Sequence, residues 1–269
     1  MDISFIKMDG LGNDFVIMDN RKGGIPMHAD FIKRMSDRRH GVGCDQAIIL
    51  GVSEVADVFM HIYNQDGSVA GACGNATRCV ADLLIQALNK TSCAIETISG
   101  ILPCSMVDGM VEVNMGSAKT KWSEIPLSHD MDSSSVDLGL GIGTGFCVNM
   151  GNPHIVFLCD DVDKIDLADL GTKIEHNPVF PERTNVEFIS LMPNGAVRMR
   201  VWERGGMITK ACGSGACAVF IASKHYGIGG DVVEVAMDGG SLFISSDMDN
   251  VLMRGPVSLN FKGVFSYEK

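Results

Sequence analysis

Two stretches of the chain, DVFMHIY at 57–63 and AVRMRVW at 196–202, alternate apolar and polar residues. That period of two predicts strands with one face buried and one face wet. Shorter apolar runs at 15–18, 47–50, 155–158 and 186–189 predict further strands. Helical spacing predicts a helix over HADFIKRMSDRR (28–39) and another over roughly 163–176. It is clearest after two cysteines. Following Cys73, residues Val80, Leu83, Leu84, Ala87 and Leu88 recur on one helical face, and Asn89 closes the helix. Following Cys212, the pattern runs from about 213 to His225 and Tyr226, with Gly227 as the stop. Two or three strands follow each helix, at 93–115 and 232–256.

These elements come in the same order twice, and the residues confirm that one unit has been copied. Sliding the chain along itself aligns Asn13 with Asn152, Gln46 with Asn185, Asn64 with Glu203 and Cys73 with Cys212; the differences 152 − 13, 185 − 46, 203 − 64 and 212 − 73 all equal 139. Four separated matches, in order and at one offset, define an internal duplication. The polar, patternless stretch GSAKTKWSEIPLS at 116–128 is the expected boundary, dividing the chain into 1–118 and 119–269, with a C-terminal strand at 258–269 available to complete the first sheet. The fold class expected is α/β, in the α+β sense. It comprises two homologous domains, each a curved, mostly antiparallel sheet around a central helix, with the active site in the cleft between them.

Composition narrows the partners. A net charge of −11 without any basic run excludes a general nucleic-acid binder. No run of 18 apolar residues and no export signal at MDISFIKMDG predict a protein that is neither membrane-spanning nor secreted. Nine cysteines, odd in number and without a CxxC pair, then read as reduced thiols in the cytoplasm, and their spacing offers no zinc or other metal site. Cys93, Cys104, Cys147 and Cys159 lie in apolar strand-like runs and read as core fillers.

The chemistry rests with Cys73 and Cys212. A cysteine at a helix start meets unbonded N–H groups and the positive end of the helix dipole, which favour a thiolate. The same N–H groups, at Gly74-Asn75 and Gly213-Ser214, suit a carboxylate. A carbon bearing that carboxylate would be flanked by both sulfurs: one thiolate removes its proton while the opposite thiol delivers another to the other face, inverting the centre. No cofactor is needed for this. A thiol–disulfide redox protein is the competing reading, but such proteins usually carry both cysteines in one local motif. A duplicated binding module with inert cysteines is the third.

NQDGSVAGACGNATR (64–78) resembles the signature of the diaminopimelate epimerase family, and the resemblance extends through GLGNDF (10–15), RHGVGCDQ (39–46), NMGNPH (149–154), RTNVEF (183–188), WERG (202–205) and ACGSGACA (211–218). Proline racemases share the two-domain plan with different cysteine contexts, which leaves a racemase of another amino acid as the alternative. The resemblance implies a cofactor-independent isomerase that interconverts LL- and meso-diaminopimelate in lysine and peptidoglycan-precursor synthesis, and a homodimer. It implies Cys73 and Cys212 as the acid–base pair, with His154 and Glu203 tuning the thiols and assisting at the amino group. Gly74, Asn75, Gly213 and Ser214 would bind the reacting carboxylate, and Asn13, Gln46, Asn64, Asn152, Asn185 and Arg204 the rest of the substrate. Cys44 stands where the family commonly has Ala, and reads as packing. Cys79 and Cys217 should face the core, and Arg78 reads as a surface residue or a helper to the anion site.

Overall fold

The alternating segments become strands over Val58–Asn64 and Val197–Glu203 in the computed structural model of the chain, which describes residues 1–268. Residue 269, the last of the segment 258–269, lies outside the described residues. Contacts divide the chain into two compact units: Met1–Val113 together with the segment from Arg254 onward, and Asn114–Met253.

In the first unit the order is β1 (Asp2–Gly10), β2 (Asn13–Asp19), α1 (Ala29–Ser36), β3 (Gln46–Gly51), β4 (Val58–Asn64), β5 (Val69–Ala70), α2 (Gly74–Leu88), β6 (Ser92–Thr97), β7 (Gly100–Val107) and β8 (Met110–Ser117). The second contains β9 (Val136–Asp137), β10 (Thr144–Asn149), β11 (Pro153–Leu158), α3 (Leu167–Glu175), β12 (Asn185–Leu191), β13 (Val197–Glu203), β14 (Met207–Thr209), α4 (Gly213–His225), β15 (Val232–Met237), β16 (Gly240–Asp247) and β17 (Asn250–Gly255). The last strand, β18 (Ser258–Ser266), pairs antiparallel with β1 in the first unit.

The duplication extends to strand register. β2 runs parallel to β3 with Phe15 opposite Gln46, and β11 runs parallel to β12 with His154 opposite Asn185, each partner 139 residues on. Past the helices the spacing becomes 140, since Ser92, Gly100 and Met110 open strands that correspond to those opened by Val232, Gly240 and Asn250. One residue has entered the second copy between helix and strand, where a loop absorbs it without disturbing register.

Each sheet is covered on both faces. Val16, Met18, Ala47 and Ile49 pack with Phe31, Ile32 and Met35 of α1. Alternation turns Phe15, Ile17 and Ile48 to the other face, where α2 buries Ala76, Cys79, Val80, Leu84 and Ile85. The second unit repeats the arrangement, with Ile155, Phe157, Val186 and Phe188 against Leu167 and Ile174 of α3. α4 buries Ala216 through Phe220 along with Ala222 and Ser223, so it is apolar on nearly all sides, as a central helix must be. Gly171 shows how closely α3 is seated: a methyl group there would lie 2.5 Å from Trp202 Cγ.

Candidate active site

Tight turns deliver the first polar residues. Gly10 pairs with Asn13 across a two-residue loop, Leu11-Gly12, and both loop residues are left-handed, with φ of 60° and 81°. This is the turn whose twist matches the strands, and it costs little at Gly12. It sets Asn13 at the start of β2. In the second unit a three-residue loop with Gly151 at φ 96° sets Asn152 just before β11. Gln46 opens β3 beside Asn64, which ends β4, and their side chains bond at 3.0 Å. Asn185 and Glu203 hold the corresponding ends of β12 and β13. Every one of these residues thus lies at the sheet end where α2 or α4 begins.

Cys73 is the N-cap of α2, extended at φ −152°, and its side chain makes no capping bond. Its Sγ approaches Asn13 Oδ1 at 3.9 Å, and Asn75 Nδ2 donates to the same oxygen at 3.3 Å. Asn13 is in turn anchored through Nδ2 to Asp45 at 3.0 Å. Asn75 Oδ1 and Gln46 Oε1 are buried without a hydrogen-bond partner. Gly74 and Asn75, as first-turn residues, have no preceding turn to receive their N–H groups.

A charged clamp supports this half. Asp14 accepts from Lys7 at 2.6 Å and from Arg38 at 2.9 and 2.7 Å. Burial by itself would raise its carboxyl, but Arg38 and Lys7 outweigh that and hold it well below the ordinary 3.8. Because the folded-state value is depressed, this stability is fully present above about pH 4 and is lost as pH falls toward the folded value. Asp14→Asn is expected to destabilise the protein by about 2 kcal/mol at neutral pH and by much less near pH 2, read from urea titrations at both.

Cys212 is the N-cap of α4, with φ −131°, and accepts from Gly215 N at 3.4 Å while Ser214 Oγ lies 3.6 Å away. It is buried, and burial, then the carboxylates of Glu203 and Glu187, push its thiol well above the ordinary value against the bonds from Ser214 and Gly215. Burial at this position thus favours the protonated thiol over the thiolate that a helix start alone would favour. A helix terminus contributes roughly 0.3–1 kcal/mol, whereas full burial of a charge shifts a pKa by several units.

In the same unit the other candidates are each held by near neighbours. Asn152 Oδ1 meets His154 Nε2 at 2.9 Å, and His154 Nδ1 meets Glu187 Oε1 at 2.7 Å. Asn185 donates to Pro153 O at 2.8 Å and accepts from Arg204 N at 3.0 Å. Glu203 is hydrogen-bonded by Thr209. The Arg204 side chain is exposed, with Nη1 3.4 Å from Glu182 O. The loop carrying it is fixed by the buried Glu175, which accepts from Trp202 Nε1 at 2.7 Å and Gly205 N at 2.8 Å.

Among residues outside the candidate set, Cys44 is buried against Ser36, and Cys79 and Cys217 are buried in their helices. Cys93, Cys104 and Cys147 are buried and Cys159 half-buried. Of the two readings of Arg78 the surface one is corrected: its side chain is completely buried, and a methyl group at Gly10 would lie 3.1 Å from its Nη2. Glu187 went unnoticed in the sequence. Its only signal was a carboxylate at an inward position of the apolar strand NVEFISL. Among the described residues, no three His, Cys, Asp or Glu side chains gather as a metal site would need, and no helix is long and apolar enough to cross a membrane.

The chain matches the diaminopimelate epimerase family model over residues 5–121 and 146–260. It is similar to the diaminopimelate epimerase of Rhodospirillum centenum, with 45% identity over 97% of this chain and 92% of the relative. It also resembles that of Erythrobacter litoralis, with 43% identity over 99% and 98%. Among solved structures, a phenazine biosynthesis protein of the PhzF family from Enterococcus faecalis superposes with a TM-score of 0.72 over all of both chains at 13% identity, a likeness of fold.

Proposed function

The chain belongs to the diaminopimelate epimerase family, an isomerase of lysine biosynthesis that converts LL- to meso-diaminopimelate without a cofactor, and on that premise we propose that Cys73 and Cys212 are its two acid–base groups. The carrying observation is that each cysteine caps the central helix of a duplicated unit at the same register. Reversible inversion asks for this equivalence, because each enantiomeric centre needs its own base on its own side.

Cys212, whose thiol is pushed up by burial, enters as the proton donor, and Cys73, half-buried and uncapped, as the base. The Cys73 sulfur takes the α-proton, and the electron pair left on carbon spreads into the adjoining carboxylate. The first-turn N–H groups of Gly74, Asn75, Gly213 and Ser214 stabilise that charge as it develops. The Cys212 thiol then protonates the opposite face. The reverse reaction exchanges the roles. Asn13, Gln46, Asn64, Asn152, Asn185 and Arg204 hold the remainder of the substrate, with the Arg204 guanidinium suited to the distal carboxylate. Glu203 assists at the amino group, and His154, buried with both ring nitrogens engaged, acts through Asn152.

In D2O, with no added cofactor, LL-diaminopimelate should acquire deuterium at an α-carbon as it epimerises, followed by NMR. Retention of every α-proton during incubation with folded protein would remove the proposal.

The same reading makes the protein a cytoplasmic homodimer that takes an amino acid and no nucleic acid. Nine free cysteines suit a reducing compartment. Leu259, Phe261 and Val264, exposed along β18, are apolar surface of the kind a second copy covers. Light scattering should give twice the chain mass of 28.8 kDa, and a single chain mass at micromolar concentration would refute the dimer.

A further inference from the structure

The two units carry the same strands in the same register, yet the residues beneath their central helices differ in kind. On the α2 face of the first unit stand Phe15 and Ile48, both fully buried and apolar. At the positions 139 residues later stand His154 and Glu187, equally buried and polar. The scaffold therefore does not require a polar pair here. Placing a carboxylate where an apolar side chain suffices is costly, and exchanging such a pair for hydrocarbon is often neutral or stabilising. A polar pair kept at such a site calls for a role other than stability.

Its surroundings identify that role. Glu187 Oε1 lies 2.7 Å from His154 Nδ1, and His154 Nε2 lies 2.9 Å from Asn152 Oδ1. Both ring nitrogens are engaged, so the imidazole cannot turn. Glu187 Oε2 is buried with no hydrogen-bond partner, which leaves acceptor capacity unused inside the site. The carboxylate also reaches the first turn of α4. A methyl group at Gly215 would lie 2.9 Å from Glu187 Oε1 and 3.3 Å from Cys212 Sγ, so the two groups converge on one spot that only glycine leaves open.

We propose that Glu187 is a positioning residue of the Cys212 half-site: it locks the His154 ring, and through it Asn152, and keeps a negative charge beneath the first turn of α4. The first unit has only Phe15 and Ile48 at these positions, so the duplicated cysteines work in unlike fields. That charge holds the proton on Cys212, in keeping with the contribution of Glu187 to its raised thiol. The inference rests on Cys212 being one of the two acid–base thiols.

Glu187→Gln removes the charge and keeps the shape, while Glu187→Met removes the polarity as well. Both should melt within a few degrees of the parent. Both should lower kcat at least about tenfold while KM moves less than about threefold. Because the thiolate is the alkylated species, iodoacetamide should label Cys212 at least about threefold faster in each variant and Cys73 at an unchanged rate, read by peptide mass mapping. Unaltered kcat and labelling would overturn the proposal. Equal acceleration at both cysteines with a lowered melting point would also overturn it, as would loss of the folded state in both variants, since each makes Glu187 a structural residue. Labelling is read without turnover, so it reports on Glu187 even if Cys212→Ser proves active and the acid–base assignment falls.

Discussion

Cys73→Ser and Cys212→Ser are each expected to lower epimerisation by roughly 10³-fold in both directions while the fold survives. An alcohol is a far weaker acid than a thiol, so serine can neither ionise to supply the base at one face nor readily give up its proton at the other. The local structure makes the test a clean one. Both cysteines occupy N-cap positions, where serine is among the preferred residues, and Cys73 makes no capping bond that serine could lose. Melting points should therefore hold or rise while turnover collapses. Near-normal turnover in either variant would remove the two-base assignment, and collapse accompanied by unfolding would leave the chemistry to be read from the other variant.

Mild oxidation should abolish activity as completely. If the two sulfurs serve one carbon, they come close enough to join once substrate is absent. A low-molecular-weight disulfide would then take two electrons from the pair, the two thiols losing their protons as the Cys73–Cys212 bond forms and the reagent leaving as two thiols. Activity should return with excess dithiol. The internal comparison is Cys93 and Cys104, which face each other across β6 and β7 and interact through their sulfurs. A peptide map that finds only Cys93–Cys104 in the inactive protein would contradict the expectation.

Periodicity and self-comparison made much of this molecule legible. Alternation at 58–64 and 197–203 and helical spacing after both cysteines depend on local pattern, and Asn89 closes α2 in the left-handed conformation such a residue tolerates. The candidates at one offset were legible because a copied unit puts equivalent residues at equivalent strand ends. What escaped depends on burial, which no local pattern reports. Arg78 looks like a surface residue by type and is completely buried. A helix start favours thiolate at either cysteine, and no local pattern says at which of the two burial opposes it. Glu187 is one letter in an apolar strand, and only its neighbours His154 and Gly215 show what it does. The C-terminal strand offered to the first sheet does join it, but its partner β1 and its register are non-local and no local pattern reports them.

That last strand bears on how the protein is made. Met1 and Tyr267 exchange backbone hydrogen bonds at 2.6 and 2.8 Å, and β18 lines one whole side of β1. β18 follows the whole second unit along the chain, so the outer edge of β1 has no partner until that unit has been made. The second unit can close while the chain is still being extended, but the first, although begun earlier, is completed only once β18 has emerged. Until then β1 is an open edge of the sort that invites pairing with other chains, and nascent protein stalled before residue 258 should be the aggregation-prone form.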